Sequence, residues 1–269
     1  MAEIPRSEGR SAFGASPQGY AVGRPEYPAQ VFELLRTRCH AGPSTRVLEI
    51  GPGTGQATEP LLALGVRSLM AVEPDARLAD FLRQRLREAS AGRLQVRSVG
   101  FEEADLPAGG FDLIVAATCY HWLEPEVAAR KAHRLLAPEG WLAIWWTIFR
   151  HPFRRDEFSE ATQSLFEGLD TNPSHHGGDQ LPFGLDVEAR RAELLAAGFS
   201  AVDHELIPWK IVLNAAQTQA LYGTFSQVAR LSPAAKTDFL ARLADIVNQR
   251  FGGKVERMFS TAVYLARRS

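Results

Sequence analysis

Three glycines in alternation, Gly51, Gly53 and Gly55, close a short apolar segment (Val47, Leu48, Ile50) that carries a single acid, Glu49. Glycine at alternate positions strips side chains from a turn, so a ligand can lie against bare backbone. The helix expected directly after it offers unpaired N–H groups to whatever docks there. Residue types and spacing together describe a cradle for a nucleotide-type cofactor. Thr54 and Gln56 stand within the same turn and belong to that set. A second apolar run, Leu69–Glu73, ends in another acid, followed by Pro74 and Asp75. Glu73 lies about 20 residues beyond the turn, the separation at which an acid reaches ribose hydroxyls across a sheet crevice. A carboxylate accepts two hydrogen bonds at once, which suits a cis-diol. Asp75 directly precedes the periodic residues Leu78, Leu82 and Leu86, so it is the better helix cap and leaves Glu73 for the sugar.

Spacing narrows the choice of cofactor. Dinucleotide enzymes usually carry G-x-G-x-x-G, and here the third slot is Gln56 while the glycine falls at Gly55. No lysine followed by Ser or Thr stands in the turn, which excludes a P-loop. The pattern E-x-G-x-G-x-G resembles motif I of the class I S-adenosylmethionine-dependent methyltransferases. An ordinary glycine turn of an α/β fold is the plainer alternative.

That resemblance extends to later strand ends. It implies that residues after the third strand hold the adenine, here Phe101 and Glu102, partly through backbone N–H. Many relatives have Asp near this place, where this chain has Phe101. The stretch from Phe111, FDLIVAATCYHWLEPEVAARKAHRLLAPEGWLAIW, resembles the small-molecule branch of the family that includes trans-aconitate and ubiquinone-type methyltransferases. Thr118 then joins the cofactor set. His121 would face the transferring methyl group or the substrate, and Trp122 would pack beside the methionyl part, with core packing the competing role for Trp122. Tyr20-x-x-x-Arg24-Pro25-x-Tyr27-Pro28 resembles the opening of the same branch, where the segment folds over the cofactor. On a helix Tyr20 and Arg24 share a face. Arg24 would pair with the cofactor's carboxylate or with an acidic substrate.

The implied reaction is in-line displacement at the sulfonium methyl, moving it to an O, N or C atom of a small molecule. Positioning and removal of water then supply much of the acceleration. A carboxylate acceptor needs no base, and His121 would donate a hydrogen bond. A hydroxyl, amine or carbon acceptor must lose a proton, and His121 would be the catalytic base. Other candidates read as structure. His175-His176 lacks an Asp, Glu or Cys cluster, so no metal is expected. Cys119 reads as packing. Arg83, Arg85, Arg87, Arg154 and Arg155 read as solvated surface, although the last two could attract an acidic substrate. Trp145 and Trp146 point to opposite faces of a buried strand, so both read as core.

The elements that must position these residues alternate strand and helix, the signature of an α/β doubly wound sheet. Strands are expected at 45–50, 68–73, 94–99, 111–118 and 141–148, with helices at 56–64, 76–89 and from Pro125. Segment 149–184 is too long for a simple connection and is expected to hold a helix (158–167) and an irregular stretch over the active site. Helices opened by Asp186 and Ser232, and strands at about 201–212 and 259–266, complete the chain. The resemblance implies a Rossmann-like, mostly parallel seven-stranded sheet with helices on both faces and an antiparallel last strand. The expected organisation is a cap at 1–40, a cofactor-binding core at 41–148, an insertion at 149–184 and a completing part at 185–269. The 269 residues suffice for one such domain. A formal net charge of −1 argues against a general nucleic-acid or anionic-membrane binder. Two cysteines make no disulfide framework, and no apolar run approaches membrane-spanning length. A cytoplasmic setting is the expectation. The alternatives are a protein that binds S-adenosylmethionine or S-adenosylhomocysteine without transfer, and a nicotinamide-dependent oxidoreductase.

Overall fold

The structure is a computed structural model that describes residues 4–6, 8, 13–150, 153, 156–171, 174 and 181–269. Five strands alternate with helices in the first part: β1 (Arg46–Ile50), β2 (Ser68–Val72), β3 (Leu94–Arg97), β4 (Phe111–Ala117) and β5 (Leu136–Ile148). Two long strands follow, β6 (Ala201–Asn214) and β7 (Lys254–Arg267). The helices in chain order are α1 (Pro17–Gly23), α2 (Ala29–Arg38), α3 (Thr58–Ala63), α4 (Ala76–Arg85), α5 (Pro125–Leu135), α6 (Glu157–Thr162), α7 (Val187–Ala196), α8 (Ala215–Tyr222), α9 (Ser226–Ala229) and α10 (Pro233–Arg250).

One seven-stranded sheet runs in the order β3-β2-β1-β4-β5-β7-β6. β1 to β5 are parallel, and β7 is antiparallel to both β5 and β6. This is the Rossmann-like architecture expected from the sequence. Strand order reverses between β1 and β4, the place where open α/β sheets bind ligands. The carboxyl ends of these two strands touch: Gly51 lies so close to Cys119 that a Cβ there would meet the Cys119 Cβ at 3.0 Å.

Alternation along the strands splits the core into two layers. Leu48, Ile114 and Trp146 pack on one face with Ala128, Ala132 and Leu135 of α5. Val47, Leu113 and Trp145 pack on the other with Val31 and Leu35 of α2 and Leu82 of α4. The opposed tryptophans follow the expected alternation. A third cluster joins Phe158, Tyr222, Phe239, Leu243, Val247 and Phe259 beneath the C-terminal helices. Arg257 is 1% exposed inside it, and its guanidinium donates to the Tyr222 hydroxyl at 2.7 Å.

Among the described residues, side-chain caps mark half of the ten helix starts. Asp75, Asp186 and Ser232 each accept a backbone N–H of the first turn, as their positions in the sequence foretold. Several bounds differ from expectation. α4 ends at Arg85 rather than residue 89, and the helix from 157 ends at Thr162 in a 3₁₀ turn. β5 starts at Leu136, directly after α5, and carries Pro138 within it. β7 begins at Lys254, five residues before the apolar run that announces it. Helices α8 and α9 occupy a stretch where no element was expected. Among the described residues, no helix is long and apolar enough to cross a membrane.

Candidate functional site

The glycine turn bends out of β1 in left-handed backbone. Gly51, Gly53 and Gly55 have φ values of +58°, +57° and +96°. Gly51 N–H is tied to the Val72 carbonyl at 2.9 Å, which anchors the turn to β2. The glycines differ in what surrounds them. A Cβ on Gly53 would meet nothing within 4 Å, so that position faces open space. A Cβ on Gly55 would meet Leu82 Cδ1 at 2.6 Å, so Gly55 permits α4 to approach.

A first cavity opens over this turn. Gly51, Gly53 and Gln56 form its floor, Glu73 and Pro74 one side, Phe101 and Glu102 another, with Thr118 and Trp122 opposite. Tyr20 closes over it from α1. Glu73 follows β2 directly. One carboxylate oxygen accepts Gly53 N–H at 3.1 Å and the other accepts Asp75 N–H at 3.0 Å. Burial pushes its carboxyl up to about 7, although the two backbone N–H groups pull it down. Lys131 of α5 braces the adjacent loop, donating to the carbonyls of Glu102 at 3.0 Å and Ala104 at 2.6 Å.

Four residues of the expected cofactor set lie off this wall. Glu49 is wholly buried behind the turn, and neither of its carboxylate oxygens has a hydrogen-bond partner of good geometry among the described residues. Burial pushes its carboxyl up to about 8, and the neighbouring Thr58 hydroxyl offsets part of that rise. Thr54 is also fully buried, its hydroxyl donating to the Gln56 side chain at 2.8 Å. Gly55 packs against α4, as above. Arg24 caps α1 and lines a second cavity instead of the first. Side-chain direction decides the cases of Glu49, Thr54 and Arg24, and close packing decides that of Gly55; motif membership encodes neither.

The second cavity abuts the first and shares Phe13, Tyr20, Thr118 and Trp122 with it. His121, Trp146, Phe149 and Phe225 complete its aromatic wall, and Arg24 and Arg150 bring positive charge. Ser174, Pro182 and Gly184 add to the wall from the segment expected to cover the active site. His175, His176, Arg154 and Arg155 lie outside the described residues. His121 sits in the 3₁₀ turn Tyr120–Trp122 beyond β4. Its Nδ1 accepts the Trp146 indole N–H at 3.1 Å. Burial, aided by the charges of Arg24 and Arg6, pushes its imidazole down to about 3.

Thr118 is the hinge between the cavities. Its φ is +55°, a costly conformation for a β-branched residue. Two contacts hold it there: its N–H donates to Trp145 O at 2.7 Å, and its hydroxyl accepts from Tyr27 Oη at 3.0 Å. Sequence reasoning quoted Tyr27 within its motif but gave it no role, and passed over Phe13. Phe13 stacks near Tyr20 (5.3 Å) and Trp122 (6.3 Å) to roof both cavities. Cys119 donates its thiol to Ile50 O at 3.0 Å and forms no disulfide with Cys39.

The residues present fit S-adenosylmethionine. A Cβ-free cradle, a buried acid held at the edge of the next strand and a half-enclosed chamber beside Phe101 are the features that an adenosyl group bearing a diol requires. Fold and site together define a Rossmann-like methyltransferase architecture. Residues 48–144 match the family described as a methyltransferase domain. An uncharacterised methyltransferase of Schizosaccharomyces pombe is 25% identical over 85% of this chain and 84% of its own length. An uncharacterised methyltransferase of Mycobacterium tuberculosis is 32% identical over half of this chain (50%) and 51% of its own. Among solved structures, a putative type II methyltransferase from Anaeromyxobacter dehalogenans superposes with a TM-score of 0.64 at 20% identity, covering 91% of this chain and 97% of that one. The comparisons support a class I S-adenosylmethionine-dependent methyltransferase, with the family match confined to residues 48–144 and the fold shared along the chain.

Proposed function

We propose that this protein transfers a methyl group from S-adenosylmethionine to a small-molecule acceptor held in the second cavity. The observation that carries this reading is the pair of abutting cavities with a shared wall at Phe13, Tyr20, Thr118 and Trp122. Gly51 and Gly53 would present bare backbone to the cofactor, Glu73 would accept its ribose hydroxyls, and Phe101 and Glu102 would flank its adenine. When bound, S-adenosylmethionine supplies an electrophilic methyl group on a cationic sulfur. The chain's own part is to orient the acceptor, exclude water and shape the potential around the reacting atom. Phe13, Tyr20 and Trp122 exclude water at the junction, and His121 faces the acceptor side. Near-neutral charge fits a metabolite acceptor better than nucleic acid. Cys39 and Cys119 form no disulfide, which fits a cytoplasmic setting.

Calorimetric titration with S-adenosylhomocysteine tests the reading. The wild-type chain is expected to bind, and Glu73→Ala to weaken binding about 10- to 100-fold, the loss of charge-assisted hydrogen bonds of about 1.5–3 kcal/mol. Well-folded wild-type protein that gives neither heat nor a melting shift overturns it. Turnover against a metabolite panel then separates transfer from binding alone.

A further inference from the structure

We propose that Trp146 is a positioning residue that fixes His121 in a single tautomer, making it a hydrogen-bond donor, so that the acceptor must arrive with its reacting oxygen already ionised, as a carboxylate. The inference rests on the methyl-transfer reading above and names its substrate class.

An indole N–H donates and cannot accept. Its hydrogen bond to His121 Nδ1 at 3.1 Å therefore requires a lone pair on that nitrogen. The proton of the neutral ring must then sit on Nε2. Nδ1 carries the one side-chain hydrogen bond of His121 among the described residues, and the ring lines the second cavity. Nε2–H is thus a donor turned toward the acceptor chamber, with no lone pair to take a proton. Charge keeps it so. Arg24 at the end of α1 and Arg6 from the N-terminal segment both act against a charged imidazole, and the rings of Trp122 and Phe183 pack beside it.

The rest of the chamber agrees. Among the described residues its walls carry Arg24 and Arg150 and no carboxylate. Arg24 is held by aromatic faces, Phe149 at 4.8 Å, Tyr20 at 5.1 Å and Phe225 at 5.5 Å from its guanidinium carbon. Among the described residues its one hydrogen bond runs from Nη2 to the Thr224 carbonyl at 3.1 Å, and its buried Nε has no partner. No carboxylate of the described residues balances this cation, so an anionic ligand would. A hydroxyl or carbon acceptor must give up a proton, and the described residues of these walls hold no carboxylate to take it. A carboxylate acceptor has no proton to give up. Its oxygen forms the new bond to the methyl carbon while the carbon–sulfur bond breaks and leaves its electron pair on sulfur. No proton moves, and carboxylate and sulfonium become neutral ester and neutral thioether.

Nitrogen NMR of histidine-labelled full-length protein tests the tautomer without turnover. His121, assigned by its loss in His121→Gln, is expected to show a pyridine-type Nδ1 and a pyrrole-type Nε2, unchanged from about pH 5.5 to 8.5. In Trp146→Phe the same ring is expected to populate both tautomers or to titrate within that range. A wild-type His121 protonated on Nδ1, or titrating near its ordinary value, overturns the proposal even if Trp146→Phe fails to fold. The acceptor class is read with methyl-labelled S-adenosylmethionine on aliphatic mono- and dicarboxylic acids beside alcohols and amines of matched length. Alkali-labile label on the acids supports the proposal, and label confined to alcohols or amines overturns it. Either failure leaves the parent reading standing as long as S-adenosylhomocysteine binds, whereas absent binding removes that reading itself.

Discussion

Glu49 and Glu73 flank the glycine turn, and burial acts on both in the same direction. Each is held above the ordinary value of 4.5, Glu49 at about 8 and Glu73 at about 7. A raised folded value means that the folded chain holds the proton more tightly than the unfolded chain. The stabilisation is full below about pH 4.5 and is lost as pH rises through 7 and 8. Glu49→Gln removes the titration while keeping the shape. Its melting temperature is expected to exceed wild type by more at pH 8.5 than at pH 5.5, with about 2–4 °C gained for each kcal/mol relieved. Thermal scans across pH check this, and a pH-independent difference would refute it. Glu73 carries a linked effect on binding. Its charged form is the one that accepts a diol, so affinity for S-adenosylhomocysteine is expected to rise as pH passes through about 7. In Glu73→Gln that pH dependence should vanish. The acid at 73 and the helix cap at Asp75 were legible in the sequence. The seclusion of Glu49 was not, because a residue on a central strand can face either layer and only packing decides which.

The turn between β1 and α3 uses its glycines for different ends. Both Gly53 and Gly55 sit in left-handed backbone, where an alanine costs about 1–2 kcal/mol. Gly55→Ala adds a clash at 2.6 Å with Cδ1 of Leu82, which is wholly buried. It is expected to lower the melting temperature well beyond Gly53→Ala. Gly53→Ala should fold and lose S-adenosylhomocysteine binding, because its methyl enters the space left for the ligand. Equal binding by Gly53→Ala and wild type would contradict the placement of the cofactor. Elements β1 to β5 were visible as apolar runs punctuated by Gly, Pro and capping acids. Helix α8 escaped notice, although Asn214 and Gln217 form a reciprocal capping box whose Asn-x-x-Gln spacing stands in the sequence. Its apolar pattern is short and lies between two strong elements, which hid it.

At the scale of the molecule, α1 ties the two ends of the chain across the site. Tyr20 lines both cavities, and Arg24 reaches the C-terminal layer through Thr224, Phe149 and Phe225. Gly23 packs so closely on α8 that a Cβ there would meet Ala220 O at 2.3 Å. A ligand in the first cavity would therefore be clamped by a segment whose own anchor is far away in sequence. S-adenosylhomocysteine is expected to slow amide exchange in Pro17–Gly23 and Tyr120–Trp122, with β6 and β7 unaffected. Hydrogen-exchange mass spectrometry checks this, and unchanged exchange in α1 would mean that the segment does not close on the cofactor.

The sequence by itself determined the doubly wound sheet, the glycine turn and the acid that follows the next strand, because these depend on local backbone freedom, period-two burial and short spacings. Tertiary structure decided which side chains reach the cavities. Trp146 reads as core from its strand, and it is core; only the packing of β5 beside the turn after β4 brings its indole to His121 and settles where that ring's proton sits. Arg24 likewise acquires its chamber from Phe149 and Phe225, residues that no local pattern could bring to it.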